Sequence, residues 1–133
     1  MLDVIVIGAG IMGAATAYEL AKYDLKVKVL EKEHDVSNGT SKANSGIVHA
    51  GYDAPEGTLM AKYNALGNAM YEDLCKEIDA PFKRTGSLVL AFSEEKRAHL
   101  TLLYNRGLKN GIPNMRIIEK EEVFAMEPNV SKE

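Results

Sequence analysis

The 133 residues include a single cysteine, Cys75, so no disulfide can close within the chain. It lies in an apolar helical pattern rather than beside a metal-ligand partner, and the expectation is a buried, inert thiol with no metal site. Basic residues are also few: 16 Lys and Arg, scattered along the chain, stand against 19 Asp and Glu, for a formal charge of -3. No positive field is on offer to a polyanion, which argues against nucleic acid as a partner. Long apolar runs are missing too, and none approaches the roughly 20 residues needed to cross a bilayer. Val4 to Ile7 is apolar, but Asp3 precedes it and the first basic residue is Lys22, so the charged start of a secretory signal is absent. A cytoplasmic location is expected, with peripheral membrane attachment left open.

What is present is ordinary for a folded globular chain: 46% hydrophobic and 26% charged residues. The length suits one domain or part of one. The run Val4 to Ile7, ended by Gly8, has the pattern of a strand buried on both faces of a parallel sheet. Helix formers follow from Ile11 to Tyr23, with Ala14, Ala15, Tyr18 and Ala21 on one face, and Lys26 to Glu31 forms a second strand pattern. Residues 32–46 are polar, aperiodic and rich in Ser, Thr, Asn and Gly, and a loop of that length inside a compact domain is usually functional.

Further on, Leu59, Tyr63, Leu66, Met70, Leu74 and Ile78 recur at intervals of three and four, which predicts a long amphipathic helix over Gly57 to Ile78, with Pro81 just beyond. Ser87 to Phe92 reads as a strand. Ser93 with Glu94 and Glu95 reads as the capped start of a helix that runs to Lys109 and stops at Asn110 and Gly111. Met115 to Ile118 is a short strand candidate and Lys120 to Met126 a short helix.

The chemistry concentrates near the start. Gly8, Gly10 and Gly13 have the spacing G-x-G-x-x-G, a weak signal alone but a stronger one between a strand and a helix. In such a turn Gly8 permits the bend, Gly10 lets the backbone approach a pyrophosphate, and Gly13 lets helix and strand pack closely. Ala9, Ile11 and Met12 complete the run, whose helical amides receive negative charge. Glu31 ends the second strand, with 17 residues between it and Gly13 and with Lys32 beside it. Its carboxylate suits ribose hydroxyls and repels a 2'-phosphate, which argues against NADP. These residues do not separate FAD from NAD. Thr40, Ser41, Asn44, Ser45 and Gly46 add short hydrogen-bonding groups of the kind that line a pyrophosphate and a ribityl chain.

Gly8 to Gly13, Glu31 and the run Thr40-Ser41-Lys42-Ala43-Asn44-Ser45-Gly46-Ile47-Val48-His49-Ala50-Gly51 resemble the D-amino-acid-oxidase-like superfamily of FAD-dependent oxidoreductases. Phe82-Lys83-Arg84, Gly86-Ser87-Leu88 and Glu127-Pro128-Asn129 extend the likeness toward its bacterial glycerol-3-phosphate dehydrogenases and oxidases. L-2-hydroxyglutarate oxidases are the nearest competitors, through Asn-Ser-Gly followed two residues later by His. The resemblance implies FAD as cofactor, with contacts from Gly8, Ala9, Gly10, Ile11, Met12, Gly13, Glu31, Lys32, Thr40, Ser41, Asn44, Ser45 and Gly46. The implied reaction is oxidation of the secondary hydroxyl of glycerol 3-phosphate to dihydroxyacetone phosphate.

The resemblance also places a substrate-facing histidine at His49, and a neutral imidazole suits removal of a hydroxyl proton. A structural role for a lone histidine in an apolar stretch stays open. His34 and His99 sit in charged or helical surroundings and read as solvated, the six Met residues as packing, and Lys83 and Arg84 as a solvated strand start before any phosphate contact.

The expected fold class is α/β: a Rossmann-like FAD-binding βαβ start with its loop over 1–51, then a helix and part of a substrate-side sheet with helices over 52–133. No second βαβ unit feeds the first sheet, so the chain is expected to be the N-terminal portion of a longer oxidoreductase and inactive by itself. A nucleotide-binding module without chemistry and a segment of an NAD-dependent dehydrogenase remain as alternatives. Besides a small-molecule substrate, a membrane surface or an electron-acceptor protein is a possible partner.

Overall fold

The computed structural model describes residues 1–131, which divide into two compact units, one over 1–47 and one from 48 onward. The last two residues of the expected 52–133 segment lie outside the described residues.

In the first unit, β1 (Val4–Ile7) and β2 (Val27–Leu30) pair in parallel, with Val4 opposite Val27 and Ile7 opposite Leu30. Helix α1 (Ile11–Leu20) makes the crossover between them. The ladder continues past the strands, since the Gly8 amide donates to Leu30 O at 2.7 Å. At the other end the Asp3 carboxylate accepts from the Lys26 amide at 2.8 Å. Parallel strands cannot be joined by a tight turn, so these end contacts and the helix together set the register.

Val6 is the buried residue of β1, on the face that meets α1, whereas Ile5 is 52% and Ile7 88% exposed. The expectation of burial on both faces is corrected here: alternate side chains point to opposite faces, and among the described residues one helix covers one face. Helix α1 also ends three residues before the expected Tyr23. After Leu20 the Lys22 and Tyr23 amides bond to carbonyls three residues back, Glu19 and Leu20, and the chain tightens out of α geometry.

In the second unit, α2 (Leu59–Glu77), α3 (Glu94–Lys109) and α4 (Lys120–Met126) follow one another. Thr58 caps α2 by accepting from the Ala61 amide at 3.2 Å, and Ser93 caps α3 by accepting from the Lys96 amide at 3.3 Å. Beyond α2, Asp79 takes a left-handed conformation (φ 53°) and the Ala80 amide bonds back to Cys75 O, a closure that precedes Pro81. The C-terminal turn of α3 holds the segment before α2: the Asn110 amide group donates to the carbonyls of Gly51 and Ala54, and Arg106 donates to Asp53 O. Ala54, Ala61, Cys75 and Leu103 are buried in this unit.

Two expected strands are absent. Residues 87–92 and 115–118 carry no strand, and among the described residues β1 and β2 form the one sheet. The apolar content of Ser87 to Phe92 is suited to a sheet, but strand structure requires a partner for its amides and carbonyls. None is present among the described residues, and Val89, Leu90 and Phe92 stay exposed.

Candidate functional site

The glycine turn between β1 and α1 is held from three directions, all within residues 1–47. Gly8 adopts φ +96°, a left-handed conformation that side chains rarely tolerate. A Cβ on Gly13 would overlap the carbonyl oxygen of Gly8, so the helix can approach the strand this closely only with glycine there. From β2, the Glu31 carboxylate accepts from the Ala9 amide at 2.6 Å, and Ala9 is itself buried. From the loop, the Ser37 amide donates to Ala9 O at 3.1 Å and Ser41 Oγ accepts from the Ile11 amide at 2.8 Å.

Glu31 is the electrostatic centre of this arrangement. Besides Ala9, it accepts from the Lys32 amide at 2.9 Å and the Glu33 amide at 3.0 Å through its other oxygen. Donation by Ala9 above all, then by Glu33, holds its carboxyl below the ordinary value, so it is an anion at neutral pH. A carboxylate has about four lone-pair sites. Glu31 therefore retains acceptor capacity for hydroxyl groups beside the turn.

At the start of α1, the helix cap is Gly10, whose missing side chain leaves room for Ser41 Oγ, 3.1 Å from where a Cβ would stand. The first amides of a helix have no intrahelical acceptor and carry the positive end of the helix dipole. Ser41 satisfies that of Ile11, while those of Met12 and Gly13 have no acceptor among the described residues. A cluster with one strand-end carboxylate, a side-chain-free cap and unsatisfied helical amides is suited to a ribose and an adjoining pyrophosphate.

The other loop residues take distinct positions. The Asn44 side chain bridges the loop internally, donating to Ser41 O at 2.6 Å and accepting from the Gly46 amide at 2.8 Å. Thr40 accepts through its carbonyl from the Ala43 amide at 3.1 Å, and Ser45 is exposed. Lys32 extends outward, 3.5 Å from Glu33.

In the second unit, His49 is exposed and its carbonyl accepts from Asn68 Nδ2 at 3.0 Å. Arg84, read from sequence as a solvated strand start, instead meets Glu72, Asn68 and the Phe82 ring. His34 and His99 are exposed and Cys75 is buried, as expected. Among the described residues no His, Cys, Asp and Glu cluster is placed to hold a metal, and no helix is long and apolar enough to cross a membrane. Ser37 and Asn68 escaped sequence reading. Asn68, a weak helix former inside an otherwise apolar stretch, was the one available signal.

Residues 3–133 match the model of a protein family described as FAD dependent oxidoreductase. The chain belongs to that family. Its cofactor is therefore FAD, the choice that the glycine turn and Glu31 left open. The chain is 54% identical over 131 residues to a glycerol 3-phosphate dehydrogenase of Caloramator mitchellensis, covering 98% of this chain and 27% of that protein. It is 37% identical to a mitochondrial L-2-hydroxyglutarate dehydrogenase of Dictyostelium discoideum, covering 97% of this chain and 30% of the relative. Among solved structures it matches the dithionite-reduced L-alpha-glycerophosphate oxidase of Mycoplasma pneumoniae with FAD bound. That match has a TM-score of 0.84 and 38% identity, and covers 98% of this chain and 35% of that one. The chain thus spans about a third or less of the length of these relatives, and its fold is the Rossmann-like α/β start expected from sequence.

Proposed function

We propose that the protein carrying this chain oxidises glycerol 3-phosphate to dihydroxyacetone phosphate, with FAD accepting a hydride from the secondary carbon. The observation that carries the reading is the Ala9–Glu31–Ser41 cluster at the head of α1, in a chain 54% identical to a glycerol 3-phosphate dehydrogenase. In this reading Glu31 takes the ribose hydroxyls of the ADP half, and Gly10 with the Met12 and Gly13 amides receives the pyrophosphate. Ser41 already satisfies the Ile11 amide and so holds the loop beside that position. Lys32, Thr40, Asn44, Ser45 and Gly46 belong to the same cofactor-binding set, some by contact and some by shaping the loop.

FAD, when bound, supplies the hydride acceptor that no amino-acid side chain provides. His49 is the group we assign to the substrate hydroxyl: a neutral ring nitrogen accepts the hydroxyl proton as the carbon loses its hydride. The residues over 1–51 form the cofactor-binding portion and those from 52 onward begin the substrate portion. A cytoplasmic site of action, with electrons passed on to oxygen, a quinone or a protein, completes the reading.

The test is anaerobic bleaching of the flavin in the full polypeptide. Glycerol 3-phosphate should bleach its visible absorption, and a fast response at sub-millimolar substrate fits ordinary enzyme affinities of about 1 μM to 1 mM. Bleaching by L-2-hydroxyglutarate and not by glycerol 3-phosphate would replace the substrate while leaving the cofactor assignment intact.

A further inference from the structure

Asn68 lies inside α2, 19 residues from His49, and its Nδ2 donates to the His49 carbonyl at 3.0 Å. A terminal amide can turn over and present its oxygen instead, which would repel that carbonyl. Arg84 prevents this. Its Nη1 donates to Asn68 Oδ1 at 3.0 Å, so the oxygen end of the amide is engaged and the nitrogen end must face His49. Arg84 is in turn fixed from several sides. Nη2 donates to the Asn68 carbonyl at 3.0 Å, Nε donates to Glu72 Oε2 at 2.9 Å, and the guanidinium lies 5.4 Å from the centre of the Phe82 ring. Phe82 is held against Tyr71, with ring centres 5.6 Å apart, and Glu72 is also paired with Lys76.

A planar guanidinium with this many directed bonds is a rigid element, which a lysine could not imitate. The fold thereby connects helix α2 to the backbone of one exposed residue through a polar chain with a defined polarity at each link. We infer that Asn68, aimed by Arg84, is a positioning residue for His49. The inference rests on the reading of His49 as the group that meets the substrate hydroxyl, and it gives Arg84 a task other than binding the substrate phosphate. Held at its carbonyl, His49 has its main chain set before substrate arrives. The imidazole then starts from a restricted set of positions, which is how a remote contact raises the fraction of productive encounters.

The experiment uses the full FAD-loaded polypeptide and reads the rate constant of anaerobic flavin reduction alongside flavin content. The substrate is glycerol 3-phosphate or, if the parent ignores it, L-2-hydroxyglutarate. Asn68→Leu should slow reduction by roughly ten- to a hundredfold, the scale for misplacing a reacting group by about 1 Å, with FAD retained. His49→Ala should slow it at least as much, and the double variant should be no slower than His49→Ala alone. That non-additivity is the decisive readout: a residue that works by placing an imidazole has no effect once the imidazole is gone, whereas a merely structural residue keeps its effect.

Asn68→Asp is the second variant, since it preserves shape and the Arg84 pair while removing the donor, and it should also be slow. It decides the matter if Asn68→Leu does not fold. A parental rate in both Asn68 variants, or an Asn68→Leu defect that adds in full to His49→Ala, overturns this inference and leaves the reading of His49 standing. A parental rate in His49→Ala overturns both.

Discussion

The Glu31 carboxylate lies 2.6 Å from the Ala9 amide, so the last residue before the loop ties the end of β2 to the glycine turn that follows β1. This bond depends on charge. Donation by Ala9 and Glu33 lowers the Glu31 pKa from an ordinary value of 4.5, so its contribution to stability is fully present above 4.5 and is lost as pH falls through the lower native value. The Ala9 amide resonance, followed by NMR as acid is added, should titrate with a midpoint below 4.5. A midpoint at or above that value would contradict the bond. Glu31→Gln should abolish the titration and weaken FAD binding, because the neutral amide is a poorer acceptor for both the turn and the ribose.

Glycine is required at Gly10 and Gly13 for different reasons, and substitution should separate them. Gly13→Ala places a methyl group on the Gly8 carbonyl and should lower stability by about 1–3 kcal/mol, the usual cost of overpacking, measurable by urea denaturation. Gly10→Val brings its Cβ to 3.1 Å from Ser41 Oγ and adds two methyl groups beside the head of α1. It should leave the fold largely intact and empty the flavin site. Undiminished flavin content in Gly10→Val protein would remove the pyrophosphate from that position.

Asn44 bridges Ser41 and Gly46 with both ends of its amide, so its removal should loosen the loop and not the sheet. Each hydrogen bond of this kind contributes roughly 0.5–1.5 kcal/mol, and losing two in Asn44→Ala predicts FAD binding weaker by about five- to 150-fold at most. Asn44→Asp retains the acceptor for Gly46 alone and should fall between the two. Calorimetric titration of the apoprotein with FAD checks the order; equal affinities in all three would show that the bridge is irrelevant to the cofactor.

The parts of this fold legible in sequence are those decided locally. A glycine with positive φ, a serine before two glutamates and a stretch of helix formers each carry their own structural instruction, and β1, β2, α3 and α4 lie where those instructions put them, while α1 begins there and ends three residues early. The failures concern long-range pairing. Ser87 to Phe92 has the composition of a strand, yet composition does not supply the neighbouring strand, and the segment stays irregular. The same limit hid the polar chain through Arg84, because partners 12 and 16 residues away in α2 leave no periodic trace. Ser37 went unnoticed for a similar reason: what matters is its main-chain amide, which any residue other than proline would provide.

The exposed apolar surface leads to the last prediction, that the 133-residue chain alone binds FAD weakly and self-associates. On α2 the stripe read from sequence is largely uncovered, with Leu59, Tyr63, Met70 and Ile78 all more than half exposed, and on β1 so are Ile5 and Ile7. Contiguous apolar area of this kind promotes association, so sedimentation velocity should show species larger than a monomer at micromolar concentration. The residues we assign to FAD engage its ADP half, and the isoalloxazine ring obtains no assigned wall from them. Titration calorimetry of the isolated chain should therefore give a weak isotherm or none. Tight one-to-one binding by a monodisperse monomer would mean that the exposed faces are tolerated in water and that these residues form a complete flavin site.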